Sequence, residues 1–506
     1  MGAGPAGCAA ATLLARRAHE VALVRPAATP AGELAESVPP SANKLLRELG
    51  LLDAVLAAGF EPNLGNTVWW ARRPERREPF HDGERGVHVE RRALESALVR
   101  AAEAAGVRVY DGFAAREARQ QPADAPGAWT VGCRASDGRT VDVHATWLID
   151  ATGRRGFLAR REGRERDPGP ATLALIARFR RPGGWDDVEG AAEGHTLVES
   201  WEDGWAWSVP LDREVRSFAA MVDRQGAGGG RVDAAAAFRH AIARAPNLGR
   251  VVASAEPAGR SWACSASLYA SRRFARAGVL LAGDAGSFID PLSSFGVKKA
   301  LSSGWLAGVA AHTALVDPPL ADVALDFFDR RERAVWQTYR RVALPFYEEA
   351  ARVYGHAYWR RRAAATGAAV AREHAEGVPG LDPADPDELG PATVPEADVR
   401  RAFEGIRARP RLAAARGPSL RTFRAPAIDG HRIVLQDQLA SDPCPKGLRY
   451  ARGVDLRRLV EEALRHDDVP ELWSAYNRAG TPVSLPDFLT ALSLAFAVGF
   501  LEHRDG

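Results

Sequence analysis

One short stretch of this chain constrains its fold more than any other. Residues 279–297 begin with an apolar run that predicts a buried strand, and Gly283 ends that run. Asp284 follows on the turn, and Pro291 and Gly296 precede a continuous helical pattern. A strand that leads through a Gly-Asp turn into a helix places a carboxylate beside the free N–H groups of the helix start. This arrangement suits a ligand with hydroxyl groups and an electron-rich end.

A glycine-rich turn lies at the start of the chain. Gly2, Gly4 and Gly7 form a G-x-G-x-x-G pattern, followed by a helix of small residues and a short strand. The first glycine permits a tight turn, the second lets a pyrophosphate approach the backbone, and the third lets the helix pack on the sheet. The pattern is weak alone, but together with the Gly-Asp turn it predicts an FAD site. Only Met1 precedes it, so we expect the first strand of the fold to be missing through truncation or a misassigned start.

Residues 279–297 resemble the second FAD motif of p-hydroxybenzoate-hydroxylase-type flavoproteins, and more narrowly that of flavin-dependent tryptophan halogenases and their monooxygenase relatives. Residues 35–40, AESVPP, resemble the mobile G-E-[AS]-x-x-P loop of this superfamily, with Ala35 in place of the glycine. Residues 89–95, VERRALE, are similar to its V-[DE]-R-x-x-[LF]-[DE] pattern. The resemblance covers roughly residues 1–375 and implies FAD contacts from Gly2, Gly4, Gly7, Glu36, Ser37, Arg91, Gly283, Asp284, Pro291, Gly296 and Val297.

The motifs and the resemblance together predict an α/β fold. We expect a Rossmann-like FAD-binding domain, an inserted antiparallel-sheet substrate domain, a helical region and a small C-terminal α+β, winged-helix-like domain. The expected segments are 1–60, 86–160 and 275–315 for FAD binding, 61–85 and 161–274 for substrate binding, 316–400 for the helical region and linker, and 425–506 for the C-terminal domain. The linker is predicted at the Pro/Asp-rich stretch Val378 to Pro395.

Two tryptophans are the main candidates for catalytic residues. Trp205 and Trp207 lie in the segment GWAWSVP, which matches the G-W-x-W-x-[IV]-P element associated with flavin-dependent halogenases. In those enzymes the element lies between flavin and substrate, where bulky indoles exclude water from a reactive intermediate. A core strand with two inward tryptophans at period 2 gives the same pattern. We expect Trp205, Trp207 and Glu36 to take part in catalysis.

The distribution of lysine argues against a halogenase. In the halogenases a lysine ammonium guides hypohalous acid to the substrate, and it lies in an excursion strand that ends in an aromatic pair. The matching stretch here is residues 64–70, LGNTVWW, which contains no lysine. Asn66 or a neighbour occupies the expected place, and we expect Asn66, Trp69 and Trp70 to line the substrate pocket.

The chain has only four lysines, and none of them is predicted to serve this role. Lys44 is expected on the solvent side of a helix, and Lys298 and Lys299 are expected beyond the flavin-facing turn. The fourth, Lys446, lies in the C-terminal region. The halogenase interpretation therefore fails at its essential residue.

We predict instead an FAD-dependent monooxygenase that hydroxylates an electron-rich aromatic ring through a flavin C4a-hydroperoxide. The target could be a tryptophan, either free or within a partner protein. Two alternatives stay open: a flavin-dependent halogenase, and a geranylgeranyl-reductase-like or non-catalytic FAD-binding assembly factor. The catalytic base stays open among His81, His88 and Glu199.

The expected partners follow from the same resemblance. The segment Ala151-Thr152-Gly153 lacks the aspartate found in hydroxylases that bind NAD(P)H directly. We therefore expect reduced FAD from a partner flavin reductase, with NAD(P)H as the other source. The substrate is an aromatic small molecule, or a protein or peptide that the C-terminal domain would dock by analogy.

Composition fits a large enzyme that uses neither nucleic acid nor a metal. The net charge of +3 is too small to indicate nucleic acid, and no apolar run approaches the roughly 18 residues of a membrane span. The cysteines at positions 8, 133, 264 and 444 lie far apart, so they predict neither a zinc site nor a disulfide framework. A reducing cytoplasm is the expected location.

Overall fold

The computed structural model describes residues 1–27, 34–80, 83–121, 129–188, 190–191, 194–224, 233–375, 394–478 and 480–504. The chain divides into two compact units, Met1–Val378 and Pro379–Gly506. The linker predicted at Val378 to Pro395 lies almost entirely outside the described residues.

The helices of the described chain are numbered in order. They are α1 (Pro5–Arg16), α2 (Ala42–Leu49), α3 (Leu52–Leu56), α4 (Arg91–Ala104), α5 (Ala159–Glu162), α6 (Ala234–Ile242), α7 (Pro246–Ala253), α8 (Gly296–Val316), α9 (Ala321–Tyr354), α10 (Ala357–Ala375), α11 (Glu396–Arg407), α12 (Leu456–Ala463), α13 (Val469–Arg478) and α14 (Leu485–Ala497).

The strands are numbered in the same way. They are β1 (Ala22–Pro26), β2 (Ala35–Val38), β3 (Glu61–Asn63), β4 (Gly65–Trp69), β5 (Arg76–Pro79), β6 (Gly86–Glu90), β7 (Arg108–Gln120), β8 (Trp129–Ala135), β9 (Thr140–Ala145), β10 (Leu148–Asp150), β11 (Arg164–Arg166), β12 (Thr172–Arg180), β13 (His195–Trp201), β14 (Gly204–Pro210), β15 (Val215–Asp223), β16 (Glu256–Pro257), β17 (Trp262–Ser265), β18 (Tyr269–Ser271), β19 (Ala275–Arg276), β20 (Val279–Leu281), β21 (Ser287–Phe288), β22 (Ala414–Arg416), β23 (Arg421–Asp429), β24 (Arg432–Ala440), β25 (Tyr450–Ala451), β26 (Val454–Asp455) and β27 (Leu501–His503).

The first unit contains a Rossmann-like layer made of two sheet parts, β1-β7-β8-β9 and β10-β20-β19. The pairs β1–β7 and β10–β20 are parallel. Backbone bonds from the first two residues join the parts, since Gly2 N donates to Val24 O at 2.8 Å and Ala151 N donates to Met1 O at 2.8 Å. The predicted Rossmann-like α/β fold is confirmed.

Helix α1 packs closely on α8, and glycine makes this approach possible. A Cβ at Gly304 would lie 2.1 Å from Ala6 O, so even alanine would collide with the α1 backbone. The helix that follows the Gly-Asp turn is thereby held against the helix that follows the glycine-rich turn.

The largest sheet in the described chain has eight strands, in the order β16-β12-β15-β14-β13-β4-β5 with β17 also paired to β12. Its pairs are antiparallel except β13–β4, which is parallel. One face packs on α6 and α7, and the other packs in part on α9 and α10. Because side chains alternate along a strand, each strand contributes to both faces.

The second unit is an α+β unit with its own core. The strands β23 and β24 form a long hairpin, and the buried residues come mainly from α12, α13 and α14. The predicted start near residue 425 is too late, because Ile406 of α11, Leu412 and Ala414 belong to the same buried core.

Candidate functional site

A cavity lies between the loops predicted to bind FAD and the face of the large sheet that α9 and α10 cover in part. Its volume is about 240 Å³. Its lining runs from the glycine-rich turn and the Gly-Asp turn to strands of the large sheet. The predicted cofactor loops and the predicted substrate sheet therefore share one space. The ionisable side chains along its wall include Glu36, Arg91, Arg154, Asp284 and Asp290.

The glycine-rich turn forms one end of the cavity. Gly2 has φ +89°, and a Cβ there would lie 2.2 Å from Ala151 O. A Cβ at Gly7 would lie 1.9 Å from Gly2 O, so these two glycines are required by the backbone itself. Gly4 is different, because its nearest neighbours would be the side-chain tips of Glu95 and Arg91 at 3.5 and 3.7 Å. The turn thus leaves Gly4 open to a phosphate, as its pattern predicts.

A charged cluster adjoins Gly4. Arg91 Nη1 donates to Glu36 Oε1 at 2.5 Å, and Arg91 Nε donates to Glu95 Oε1 at 3.0 Å. The Glu36 carboxylate, with further contributions from Glu95 and Asp284, raises the pKa of Arg91 above its usual range. The structure thus places a guanidinium beside Gly4, in a bonded cluster with two carboxylates.

The Gly-Asp turn forms the second side of the cavity. Gly283 has φ +63°, and Asp284 is half-buried on the wall. The turn is held from below by Lys299, whose Nζ donates to Gly283 O at 2.9 Å and to Ser287 O at 2.7 Å. Lys299 is therefore a support of the turn, which its sequence position alone did not indicate.

The remaining predicted FAD residues lie around the start of α8. Pro291 and Gly296 line the cavity, and a Cβ at Gly296 would lie 3.6 Å from Glu36 Oε2. Ser37 also lines it, and its Oγ accepts a bond from Asn63 Nδ2 at 2.6 Å. Val297 is buried in the helix and does not line the cavity. These loops fit FAD: open glycines, a cation and a carboxylate face one continuous space.

The tryptophan pair forms part of the sheet wall. Trp205 and Trp207 point to the same face of β14, and their ring centroids lie 5.4 Å apart. Trp205 is buried and Trp207 is half-buried. The intervening Ala206 points to the opposite face, toward α6 and α7. The period-2 pattern therefore places both indoles beside the predicted flavin loops.

None of the three predicted pocket residues, Asn66, Trp69 and Trp70, lines the cavity. Trp69 lies in the core on the opposite face of the sheet, among residues of α6 and α7, because its side chain alternates with that of Trp70. Trp70 lies behind the wall, with its ring 6.4 Å from that of Trp205. Asn66 is half-buried on β4 and does not line the cavity. The aromatic pair thus packs in the cores on the two faces of the sheet.

Two of the three candidate bases, His88 and Glu199, do not line the cavity. The third, His81, lies outside the described residues. His88 Nε2 donates to Gly194 O at 3.0 Å, and burial lowers its pKa to about 3. Glu199 accepts bonds from the N–H groups of Asn247 and Leu248, at the start of α7. Both residues have structural roles that their sequence positions did not reveal.

The sequence interpretation missed two charged residues that line the cavity, Arg154 and Asp290. Arg154 follows Gly153 on the turn after β10, and its Nη1 donates to Ser265 O at 2.5 Å. It therefore ties the flavin loops to the substrate sheet. Asp290 precedes Pro291 and is bonded to Tyr347 of α9, which lies far away in sequence. A charged residue beside each recognised motif was the only signal that could have identified them.

Replacing Asp284 with alanine is expected to weaken FAD binding by about 1.5–3 kcal/mol, the value of hydrogen bonds to a charged group. Asp284 lines the cavity and is half-buried there. Fluorescence titration of the apoprotein with FAD measures the change. Asp322→Ala, at an exposed position of α9, is the matched control. An unchanged affinity in Asp284→Ala would contradict the assignment.

Comparisons with known proteins agree with this geometry. The family model described as "FAD binding domain" matches residues 1–306. Tryptophan 2-halogenase from Chondromyces crocatus is 29% identical over 371 residues, which cover 70% of this chain and 68% of that protein. The crystal structure of CmlS, a flavin-dependent halogenase, has a TM-score of 0.74 at 21% identity and covers 100% of this chain and 95% of that chain. QhpG, a peptidyl tryptophan dihydroxylase essential for tryptophylquinone cofactor biogenesis, has a TM-score of 0.65 at 22% identity, with 98% of each chain covered.

Two further observations concern the described part of the chain. Across the described helices, none is long and apolar enough to cross a membrane. The described part of the chain also contains no cluster of three or more His, Cys, Asp or Glu side chains placed to hold a metal ion. The matched model covers more than half of the chain, from the glycine-rich turn through the Gly-Asp turn to α8. The chain therefore belongs to the FAD-binding domain family, and it is an FAD-dependent oxidoreductase whose sequence is similar to that of a flavin-dependent halogenase.

Proposed function

We propose that this protein hydroxylates an electron-rich aromatic ring with molecular oxygen and reduced FAD. The observation that carries the proposal is the identity of the cations at the cavity. Arg91 and Arg154 line it, and among the described lining residues there is no lysine. An ammonium that could direct a halogenating species to the substrate is thus lacking from the described wall.

The positions of the four lysines support this argument. Lys44 is exposed on α2, and Lys446 belongs to the C-terminal unit. Lys299 is buried and uses its ammonium on the carbonyls of Gly283 and Ser287. Lys298 is buried in α8 with its ammonium 5.2 Å from the centroid of the Phe295 ring. Each is engaged or placed outside the cavity wall.

The chain's own residues would then bind, orient and protect the reacting groups. When bound, reduced FAD supplies the two electrons that activate oxygen. Arg91, Gly4 and Asp284 would hold the cofactor, and Trp205 and Trp207 would keep water away from the reacting oxygen. Arg154 would fix the distance between the flavin loops and the sheet through its bond to Ser265 O.

The proposed substrate is an indole or phenol, free or carried by a protein. The lining of Trp205, Trp207, Ile176, Val198 and Phe288 is apolar and aromatic, which suits a flat ring. The name of QhpG describes action on a tryptophan within a peptide, and its fold is shared across the whole of this chain. The second unit would then serve to dock a protein substrate.

A second candidate function is halogenation. It is favoured by the names of the relatives, which include the tryptophan 2-halogenase reported above. It requires a group other than a cavity lysine, or a movement of Lys44, to direct the halogenating species. The observed lysine positions make hydroxylation the better supported reaction.

Halide is expected to have no effect on the product. In reactions supplied with reduced FAD and oxygen, tryptophan, indoles and phenols should yield no halogenated compound with chloride or bromide. Mass spectrometry should instead find oxygen from isotopically labelled O₂ in the ring product. Halide-dependent product would overturn the proposal, and a Lys44→Ala variant would then show whether Lys44 serves as the directing group. Absence of oxygen consumption would favour the reductase or assembly-factor alternative.

A further inference from the structure

A second, smaller cavity lies directly behind the tryptophan wall. Its volume is about 40 Å³, enough for one or two water molecules. Five residues line both cavities and thus form the partition between them: Trp205, Met221, Ala266, Asp290 and Pro291. Asp290 is the ionisable member of this partition.

The Asp290 carboxyl is buried, with 4% of the residue exposed. Its Oδ1 accepts a bond from Leu292 N at 3.0 Å, which caps the turn at Pro291. Its Oδ2 is hydrogen-bonded to the hydroxyl of Tyr347, which is 6% exposed and lines the smaller cavity. Each carboxyl oxygen therefore accepts one hydrogen bond, Oδ1 from the turn and Oδ2 from α9.

The charges around Asp290 leave it without a direct cation. Tyr347 faces it from α9, Arg362 from α10 and Asp167 from the segment after β11. Arg362 is committed elsewhere, since its Nη1 donates to Asp223 Oδ1 at 2.7 Å and its Nη2 donates to Thr172 Oγ1 at 2.9 Å. Burial raises the pKa of Asp290, so its carboxyl holds a proton more readily than an exposed aspartate does.

The proposed hydroxylation needs such a group. One oxygen atom of O₂ enters the ring and the other leaves as water, so the two electrons from the reduced cofactor must be matched by two protons. Reduced flavin that enters as an anion brings only one of these protons. The second must reach the departing oxygen inside a cavity from which water is excluded.

We propose that Asp290 delivers this proton at the cavity wall, while Tyr347 positions the carboxyl through the hydroxyl that donates to its Oδ2. This inference rests on the proposed hydroxylation. The Asp290 O–H bond breaks as an O–H bond forms on the departing oxygen, and the resulting carboxylate is reprotonated from solvent through the smaller cavity, which Asp290 also lines. No electrons move in this step, and one proton is taken up from solvent.

Asp290→Asn separates this role from the turn cap, because the amide oxygen can still accept from Leu292 N. We expect turnover to hydroxylated product to fall about 100-fold, as for the loss of a general acid. FAD affinity should stay unchanged, and more of the oxygen should appear as hydrogen peroxide. Tyr347→Phe should give a smaller loss of the same kind. Tyr354→Phe, also on α9 and bonded to Ser200 O at 2.8 Å, is the matched control with unchanged turnover.

Thermal melting across pH gives a readout that needs no reaction. A carboxyl with a raised pKa in the folded protein contributes stability below its unfolded pKa of about 3.9 and loses it as pH rises through the folded pKa. Asparagine does not titrate. The Tm of Asp290→Asn minus that of the wild type should therefore increase as pH rises from about 4 toward neutrality.

The outcomes distinguish a failure of the proton-delivery role from a failure of the proposed hydroxylation. Wild-type coupling and an unchanged pH profile in Asp290→Asn would overturn the proton-delivery role, as would a Tm difference that does not vary with pH. A wild-type protein that consumes oxygen but hydroxylates none of the indoles or phenols would overturn the proposed function instead. In that case the pH-dependent Tm difference still tests whether Asp290 is a proton-holding group.

Discussion

Replacing Trp207 with alanine is expected to yield a folded, FAD-binding protein that releases most of its consumed oxygen as hydrogen peroxide. Trp207 is half-buried on the cavity wall, beside the more deeply placed Trp205. Removing its indole widens the cavity on the substrate side and admits water to the reacting oxygen. The glycine-rich turn, Arg91 and Asp284 lie on other elements, so FAD affinity should barely change.

Three measurements on one variant test this expectation. Peroxide formation and hydroxylated product give the coupling, fluorescence titration gives the FAD affinity, and thermal melting gives the stability. Trp207→Phe is the matched variant, because phenylalanine retains most of the bulk and should retain most of the coupling. A protein that loses both stability and FAD occupancy would show that Trp207 belongs to the core, as its period-2 pattern equally permits.

The FAD-binding fold could be predicted because its signals are local. Gly2, Gly7 and Gly283 are each required by a backbone conformation or a close approach that few other residues tolerate. Such constraints are visible in a short stretch of sequence, and they identified the cofactor and the Rossmann-like layer correctly. The helical pattern after Gly296 was likewise visible in the sequence, and it corresponds to α8.

The substrate side could not be predicted equally well, because its geometry depends on which face of a strand a residue occupies. Trp69 and Trp70 are adjacent in sequence, yet they lie on opposite faces of the large sheet. Glu199 has a carboxylate that could serve as a catalytic base, but it lies on the face of the sheet that packs on α7. The face was set by long-range pairing of β4 with β13, which no local pattern reveals.

Contacts between segments that are distant in sequence could not be predicted either. Asp290 and Tyr347 are 57 residues apart, and only the packing of α9 on the turn brings them together. Lys299 could be recognised as unsuited to a halogenase role, whereas its bonds to Gly283 O and Ser287 O required the folded turn. Sequence identified the ligand class, and packing decided which polar groups could serve the reaction.

Replacing Trp205 with alanine is expected to destabilise the first unit by about 3–5 kcal/mol, the usual cost of truncating a buried tryptophan. Trp205 is 3% exposed, and its ring contacts those of both Trp70 and Trp207. It also separates the two cavities, so its loss would join them. Urea unfolding followed by circular dichroism measures the change, and FAD occupancy should fall together with the folded fraction.

Comparing variants of the two tryptophans is a stronger test than either variant alone, because both residues lie on β14 and have the same side chain. Trp205→Phe should lose less stability than Trp205→Ala, since it keeps part of the packing against Trp70. The double variant Trp205→Ala/Trp207→Ala should show non-additive losses, because the rings are in contact. Equal losses of stability and equal losses of coupling in the two single variants would contradict a division of labour. In that case the pair would act as one wall, with neither indole serving mainly as core.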